Sequence, residues 1–152
     1  MRAVIIDDDP FMRENLISLL SLYCEDVEIV GEADGVKSGV AQIKELQPEI
    51  VFMDIEMKDG TGFDLLSILG KSNFKLIFVT GHNNFAIKAF KFSAVDYLLK
   101  PVDPDDLIRA VEKAKTTANN DLQIKALLAN QKDTKQKIVI TTRYSWVSVS
   151  IS

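Results

Sequence analysis

A chain of 152 residues with a net charge of −4 is long enough for one core of ordinary size and a short appendage. Its 47% apolar and 26% charged residues are typical of globular proteins, and its apolar runs are too short to span a bilayer, so we expect a cytoplasmic protein without a membrane segment. Residues 1–120 carry 13 Lys and Arg against 20 Asp and Glu, which makes that part a poor binder of nucleic acid.

Five short apolar runs alternate with stretches of helical periodicity. The first run, Ala3–Ile6, is continuous and rich in β-branched residues, as expected for a strand that is buried on both faces. The predicted strands are residues 2–7, 27–31, 50–54, 74–80 and 94–99. Each is followed by a segment with the spacing of an amphipathic helix, so the chain repeats one strand–helix unit.

Capping signals mark where several of the helices begin. Asp9-Pro10 and Asp103-Pro104 each offer an N-cap followed by proline at the first helical position. Asp34 is predicted to begin the second helix. One apolar face of the first helix is predicted from Phe11, Leu16, Leu19, Leu20 and Tyr23.

The repeats predict an α/β fold, a doubly wound parallel sheet with helices on both faces. We expect five strands in the flavodoxin-like order 2-1-3-4-5 and a C-terminal helical extension. The predicted organisation is a first domain over residues 1–118, a polar linker helix over 119–136, and over 137–152 a fragment of a β-rich domain that is too short to fold alone. The single cysteine, Cys24, is predicted to be a core residue.

Polar residues stand where the predicted strands end. Asp7 and Asp8 end the first strand, Asp54 ends the third, Thr80 ends the fourth, and Lys100 follows the fifth. In such a sheet these positions share one edge, where ligands bind. Three carboxylates that lie close together repel one another, so the arrangement favours a hard divalent cation among them, and Mg²⁺ suits oxygen ligands.

Four segments resemble the receiver domains of bacterial two-component response regulators. The segments are Ile5-Ile6-Asp7-Asp8-Asp9-Pro10, Val51-Phe52-Met53-Asp54-Ile55-Glu56-Met57, Val79-Thr80-Gly81 and Tyr97-Leu98-Leu99-Lys100-Pro101. The resemblance covers roughly residues 1–118 and is specific as a set, although each motif alone is weak. It implies a signalling domain that is not an enzyme in the ordinary sense but promotes its own phosphorylation and dephosphorylation.

The resemblance implies a role for each matching residue at the metal and phosphoryl site. Asp54 would be the phosphoacceptor. Asp7 and Asp8 would be the acidic pair that binds Mg²⁺ directly or through water, and the backbone carbonyl of Glu56 would be a further ligand. The ammonium group of Lys100 would pair with the phosphoryl group.

The same resemblance implies a switch and its partners. Thr80 would donate its hydroxyl to the phosphoryl group, and Tyr97 would change rotamer in response. The implied partners are a sensor histidine kinase and a second copy, bound through the face made by the fourth helix, fifth strand and fifth helix. Lys58 stands where the family often has proline, which leaves the rigidity of the following turn open.

The output is predicted from a weaker likeness. Residues 86–90 and 94–101 resemble regulators that carry LytTR-type DNA-binding domains, and residues 137–152 are similar to the opening of such a domain. We therefore expect a transcriptional regulator cut short in its output domain, so that DNA would be bound only through the missing part. The alternative is a stand-alone receiver that acts by protein–protein interaction or phosphorelay.

Two functions of other classes are alternatives to the receiver. In an aspartyl-phosphate hydrolase, Asp54 and Glu56 would be nucleophile and acid, but that class has its nucleophile on the first strand. A nucleotide- or flavin-binding module would need a glycine-rich loop after the first strand, where Asp8-Asp9-Pro10 stands instead. His82, the sole histidine, is interpreted as an ordinary loop residue.

Overall fold

The protein is represented by a computed structural model, and the structure described is that of residues 1–116. Its strands form one parallel sheet in the order β2-β1-β3-β4-β5, which confirms the predicted flavodoxin-like order. The strands are β1 (Arg2–Ile6), β2 (Glu28–Ala33), β3 (Ile50–Met53), β4 (Lys75–Thr80) and β5 (Asp96–Leu99). β1, β3 and β4 are almost fully buried, which fits strands that are covered on both faces, whereas β2 at the edge of the sheet is mostly half-buried or exposed.

A helix follows each strand. The helices are α1 (Pro10–Tyr23), α2 (Val36–Leu46), α3 (Gly62–Leu69), α4 (Ala86–Lys91) and α5 (residues 104–116). Between β3 and α3, Glu56–Met57 pairs antiparallel with Gly60–Thr61. This small hairpin follows the carboxyl end of β3.

Helices cover both faces of the sheet, as the doubly wound fold requires. On one face, alternate strand residues pack with the middle turns of α1 and with α5 in a single apolar cluster. That cluster contains Ile5, Phe52, Ile77, Val79 and Leu98 with Leu16, Leu20, Cys24, Leu107 and Val111. On the other face, Gly39 of α2 lies against Ile6 and Leu65, and the ring of Phe63 of α3 packs on Phe78 at 5.2 Å.

Two local predictions need correction. The second helix begins at Val36 with Gly35 as N-cap, so Asp34 lies outside it; the carboxylate of Asp34 instead accepts from the Ser38 hydroxyl at 2.8 Å. Phe11 and Tyr23 belong to no buried face, since they are 78% and 50% exposed. Phe11 stands at the start of α1, before the turns that meet the apolar cluster, and Tyr23 lies off the face through which Leu16, Leu20 and Cys24 join that cluster.

The capping predictions at the other two helices are confirmed. The carboxylate of Asp9 accepts from the Phe11 amide at 3.0 Å, and that of Asp103 accepts from the Asp105 amide at 2.8 Å. Cys24 is buried in the core as expected. The predicted linker helix over 119–136 and the β-rich fragment over 137–152 lie outside the described residues, as does the boundary at 118. Among residues 1–116, no helix has the length and apolarity to cross a membrane.

Candidate functional site

The carboxyl edge of the sheet brings the predicted acids together. Asp7 and Asp54 are buried, at 5% and 7% exposure, and Asp8 is half-buried. One carboxylate oxygen from each of the three lies within 4.8 Å of the others. Asp7 and Asp8 directly follow β1, and Asp54 follows β3, its neighbour in the sheet. Residues distant in the sequence therefore form one acidic cluster.

Lys100 places a cation inside this cluster. Its Nζ lies 2.6 Å from Oδ2 of Asp7 and 2.9 Å from Oδ2 of Asp54. Burial works against the charged ammonium, but the hydrogen bonds that it donates to the two carboxylates, together with their negative charge, outweigh that effect and raise the pKa of Lys100. The lysine is therefore held as a cation between the two buried acids.

The ionised form of Asp7 is disfavoured within this cluster. Burial raises the pKa of Asp7 and the nearby Asp54 charge adds to that effect, although the hydrogen bonds from Lys100 and from the Asp9 amide oppose it. Three carboxylates thus face one ammonium, and that ammonium does not fully compensate Asp7. Further positive charge at this edge would be stabilising.

Arg13 holds the start of the acidic segment, and the sequence reasoning missed it. Its guanidinium donates to the backbone carbonyl of Asp7 and, over 3.1 Å, to Oε1 of Glu32 on β2. The available signal was an arginine one turn into a helix that starts beside an acidic pair. The contact fixes the chain at Asp7 without using its carboxylate.

Asp54 is fixed by its own loop. Its Oδ1 accepts from the Ile55 amide at 2.7 Å, and its amide donates to the Ile6 carbonyl at 2.9 Å. The Gly62 amide closes the loop onto the Ile55 carbonyl at 2.7 Å. A Cβ at Gly62 would lie 2.8 Å from the Asp54 carbonyl oxygen, so this close approach requires glycine.

Thr80 and Tyr97 meet at a single residue of the loop after β4. The hydroxyl of Thr80, which is fully buried, accepts from the His82 amide at 3.4 Å. The hydroxyl of Tyr97 donates to the His82 carbonyl, and its side chain is 7% exposed. The two predicted switch residues are thus joined through the backbone of His82.

The side chain of His82, in the loop after β4, contacts the side chain of Glu56. Its Nε2 lies 3.1 Å from Oε2 of Glu56, and both side chains are about half exposed, at 49% and 53%. Glu56 lies two residues beyond Asp54 and His82 two residues beyond Thr80, at the ends of adjacent strands. These equal offsets are the signal that would have found the pair.

Comparison with known proteins identifies the family of this chain. Residues 3–112 match the family model of the response regulator receiver domain. The chain belongs to that family. Asp7, Asp8, Asp54 and Lys100 stand together at the carboxyl edge of a receiver fold, and Thr80 is the last residue of the neighbouring strand β4.

Individual relatives agree with the family match. A response regulatory protein of Vibrio vulnificus is 40% identical over 121 residues, which cover 79% of this chain and 50% of the relative. The sensory transduction protein LytT of Bacillus cereus is 32% identical over 127 residues, 82% of this chain and 51% of the relative. This receiver chain spans about half the length of the curated relatives it matches.

A solved structure gives the same fold. The receiver domain of AraT, a response regulator from Geobacillus stearothermophilus, has a TM-score of 0.70 and 26% identity, covering 80% of this chain and 97% of the other. The agreement extends over nearly the whole of that domain.

The donor set of this receiver fits Mg²⁺, which receiver domains generally bind. Carboxylate oxygens are the hard ligands that Mg²⁺ prefers, and it usually retains several waters, so a few protein ligands suffice. Asp7, Asp8 and Asp54 supply three such carboxylates within 4.8 Å.

Proposed function

We propose that this receiver accepts a phosphoryl group on Asp54 from a sensor histidine kinase in a Mg²⁺-dependent reaction. The observation that carries the proposal is the contact between Lys100 Nζ and Asp54 Oδ2 at 2.9 Å within the acidic cluster. A carboxylate nucleophile with an adjacent fixed cation is suited to receive a phosphoryl group.

The transfer forms one bond and breaks another. A carboxylate oxygen of Asp54 bonds to phosphorus as the bond between phosphorus and the imidazole nitrogen of the phosphohistidine breaks, and the electron pair leaves with the imidazole. The Ile55 amide holds Oδ1 of Asp54 at 2.7 Å, so the nucleophile is oriented before the donor arrives.

Charge on the transferring group needs cations nearby. Lys100 is placed to offset charge on the phosphoryl oxygens. Asp7, Asp8, Asp54 and the Glu56 carbonyl are the groups that would hold Mg²⁺, whose contribution is further neutralisation of that charge.

The switch would begin at Thr80. Phosphorylated Asp54 gains negative charge and acceptor oxygens, to which the Thr80 hydroxyl donates. That hydroxyl now accepts from the His82 amide, and the His82 carbonyl accepts from Tyr97. Movement of Thr80 would therefore be passed to His82 and Tyr97. The His82 ring lies 6.1 Å from the ring of Phe85, the residue that precedes α4, so the change would reach that helix.

The surface that changes is proposed to bind a second copy of the chain. Ile87 and Phe90 of α4 are each 51% exposed, and such apolar side chains favour a protein interface. Nζ of Lys113 on α5 lies 3.5 Å from Oδ2 of Asp96 on β5, and this ion pair links the other two elements of the same face. Phosphorylation is proposed to promote a dimer through α4, β5 and α5.

The output is proposed to be transcriptional regulation through a LytTR-type DNA-binding domain. Similarity to LytT and the motif resemblance at residues 86–90 and 94–101 support this assignment. DNA would be contacted by residues outside this chain, because the chain corresponds to about half of such a regulator.

Incubation with acetyl phosphate tests the proposed chemistry. The parent protein and Asp54→Asn are incubated with and without Mg²⁺ and weighed intact by mass spectrometry. One phosphoryl adduct that requires both Mg²⁺ and Asp54 is expected. An adduct that persists in Asp54→Asn, or none in the parent, would contradict the proposal.

A further inference from the structure

The start of α2 lacks a cap of its own. Its N-cap residue is Gly35, which has no side chain to accept from the first helical amides. The nearby Ser38 hydroxyl accepts from the amides of Asp34 and Gly35, at 3.2 and 3.1 Å, and not from those of the first turn. The amides of Val36 and Lys37 need acceptors from elsewhere, because no intrahelical carbonyl is available to them.

Asp59 supplies both acceptors from a different part of the chain. Its Oδ1 accepts from the Val36 amide at 2.8 Å and its Oδ2 from the Lys37 amide at 3.1 Å, across 23 and 22 residues of sequence. These hydrogen bonds hold the pKa of Asp59 below its usual value. A Cβ at Gly35 would lie 2.6 Å from Oδ1 of Asp59, so the glycine leaves the room that the carboxylate occupies.

Asp59 lies in the loop that begins at Asp54. Pairing of Met57 with Gly60 leaves Lys58 and Asp59 as the two residues of the hairpin turn. The other end of the loop is closed by the bond from the Gly62 amide to Ile55. The tip of the loop is thus attached to α2, and its base to β3.

We propose that Asp59 is a positioning residue whose carboxylate ties the loop after Asp54 to α2 and thereby holds the Glu56 carbonyl in place for Mg²⁺. The inference rests on the proposed function of this site. It also accounts for Lys58, which stands where the family often has proline. The two hydrogen bonds that the adjacent Asp59 accepts restrict the conformation of the turn without a proline ring.

The structure offers variants that separate the tie from the cap. Asp59→Ala removes both. Adding Gly35→Ser to Asp59→Ala restores a local N-cap, because Gly35 is extended at φ −172° and Asp59 supplies all three of the nearest atoms that a Cβ there would meet. Asp34→Ala is the matched control, since it removes the hydrogen bond to Ser38 at the same helix start without touching the loop.

The deciding measurement is the dissociation constant for Mn²⁺, which binds the same oxygen ligands as Mg²⁺ and is counted by the spin resonance signal of the free ion. We expect Asp59→Ala to weaken Mn²⁺ binding about 10-fold, as loss of an outer-shell support does. The double variant should regain melting temperature but keep the weak binding. Asp34→Ala should bind Mn²⁺ like the parent.

Two outcomes would overturn the proposal. One is Mn²⁺ affinity in Asp59→Ala equal to that of the parent. The other is recovery of affinity in the double variant or an equal loss in Asp34→Ala, because either would reduce Asp59 to a helix cap. If the double variant does not regain its melting temperature, the Mn²⁺ affinities of Asp59→Ala and Asp34→Ala still decide between a loop tie and a helix cap. A parent that binds Mn²⁺ but takes no phosphoryl group would refute the proposed function and leave this test intact.

Discussion

The ammonium of Lys100 donates a hydrogen bond to Oδ2 of Asp54 over 2.9 Å, although 46 residues separate the two in sequence. It also donates to Oδ2 of Asp7 over 2.6 Å. The fold thus brings residues that are distant in the sequence into one charged cluster. Three close carboxylates with one ammonium leave the cluster short of positive charge, and several predictions depend on that imbalance.

Asp7→Asn is expected to raise the melting temperature in the absence of Mg²⁺. Burial raises the pKa of Asp7, so its ionised form is disfavoured in the fold, and its contribution to stability is present at low pH and lost as the pH rises through the raised pKa. At pH 7 the substitution removes that cost. Added Mg²⁺ should stabilise the parent but not the variant. A variant that melts lower than the parent without Mg²⁺ would refute this.

Lys100→Ala is expected to destabilise the protein by about 3 kcal/mol, because it leaves two buried carboxylates without their cation. Urea unfolding without Mg²⁺ measures the loss. The matched control is Lys91→Ala, at an exposed lysine of α4, which should change stability by less than about 0.5 kcal/mol. Similar losses in both variants would mean that the buried contacts of Lys100 contribute nothing.

Gly62→Ala and Gly81→Ala form a matched pair near the site. A Cβ at Gly62 would lie 2.8 Å from the Asp54 carbonyl and 3.1 Å from the Phe78 ring, whereas one at Gly81 meets nothing within 4 Å. Overpacking at Gly62 should cost about 2 kcal/mol and slow phosphorylation by displacing Asp54. The free energy of unfolding of Gly81→Ala should lie within about 0.5 kcal/mol of that of the parent. Equal urea midpoints for the two variants would contradict the structure.

The tie at Asp59 predicts a pH dependence. Hydrogen bonds from the amides of Val36 and Lys37 favour the carboxylate of Asp59 and lower its pKa in the folded protein. Its contribution to stability is therefore complete above the pKa of the unfolded chain. That contribution is lost as the pH falls through the lower pKa of the folded protein. The parent should therefore be more stable than Asp59→Asn at pH 7, and the gap should shrink below about pH 4. Urea midpoints across this range measure the gap. A gap that stays constant to pH 3 would show that the charge of Asp59 is not involved.

The features that the sequence predicted correctly depend on local pattern and on one general rule of parallel sheets. Continuous apolar runs identified the strands. Because parallel strands end at a common edge, Asp7, Asp54 and Lys100 could be brought together before any coordinates were known. Asp9 was recognisable as a cap, since the Pro10 that follows it is a local signal.

The features that were missed depend on contacts between distant segments. The cap of α2 comes from Asp59, 23 residues away, and no local pattern at Gly35 indicates it. The pair of His82 and Glu56 requires that β3 and β4 be neighbours. Helical spacing placed Phe11 on a face, but spacing does not tell how far the core extends along the helix, and Phe11 lies beyond it.

The most direct test of the account is to locate the phosphoryl group by reductive trapping. The phosphorylated parent is treated with borohydride, which converts an aspartyl phosphate to homoserine, and the peptides are sequenced by mass spectrometry. Homoserine is expected at position 54, and none in a sample prepared without Mg²⁺. Homoserine at position 7 or 8 instead, with Asp54 unmodified, would show that a different carboxylate is the acceptor and contradict the central claim.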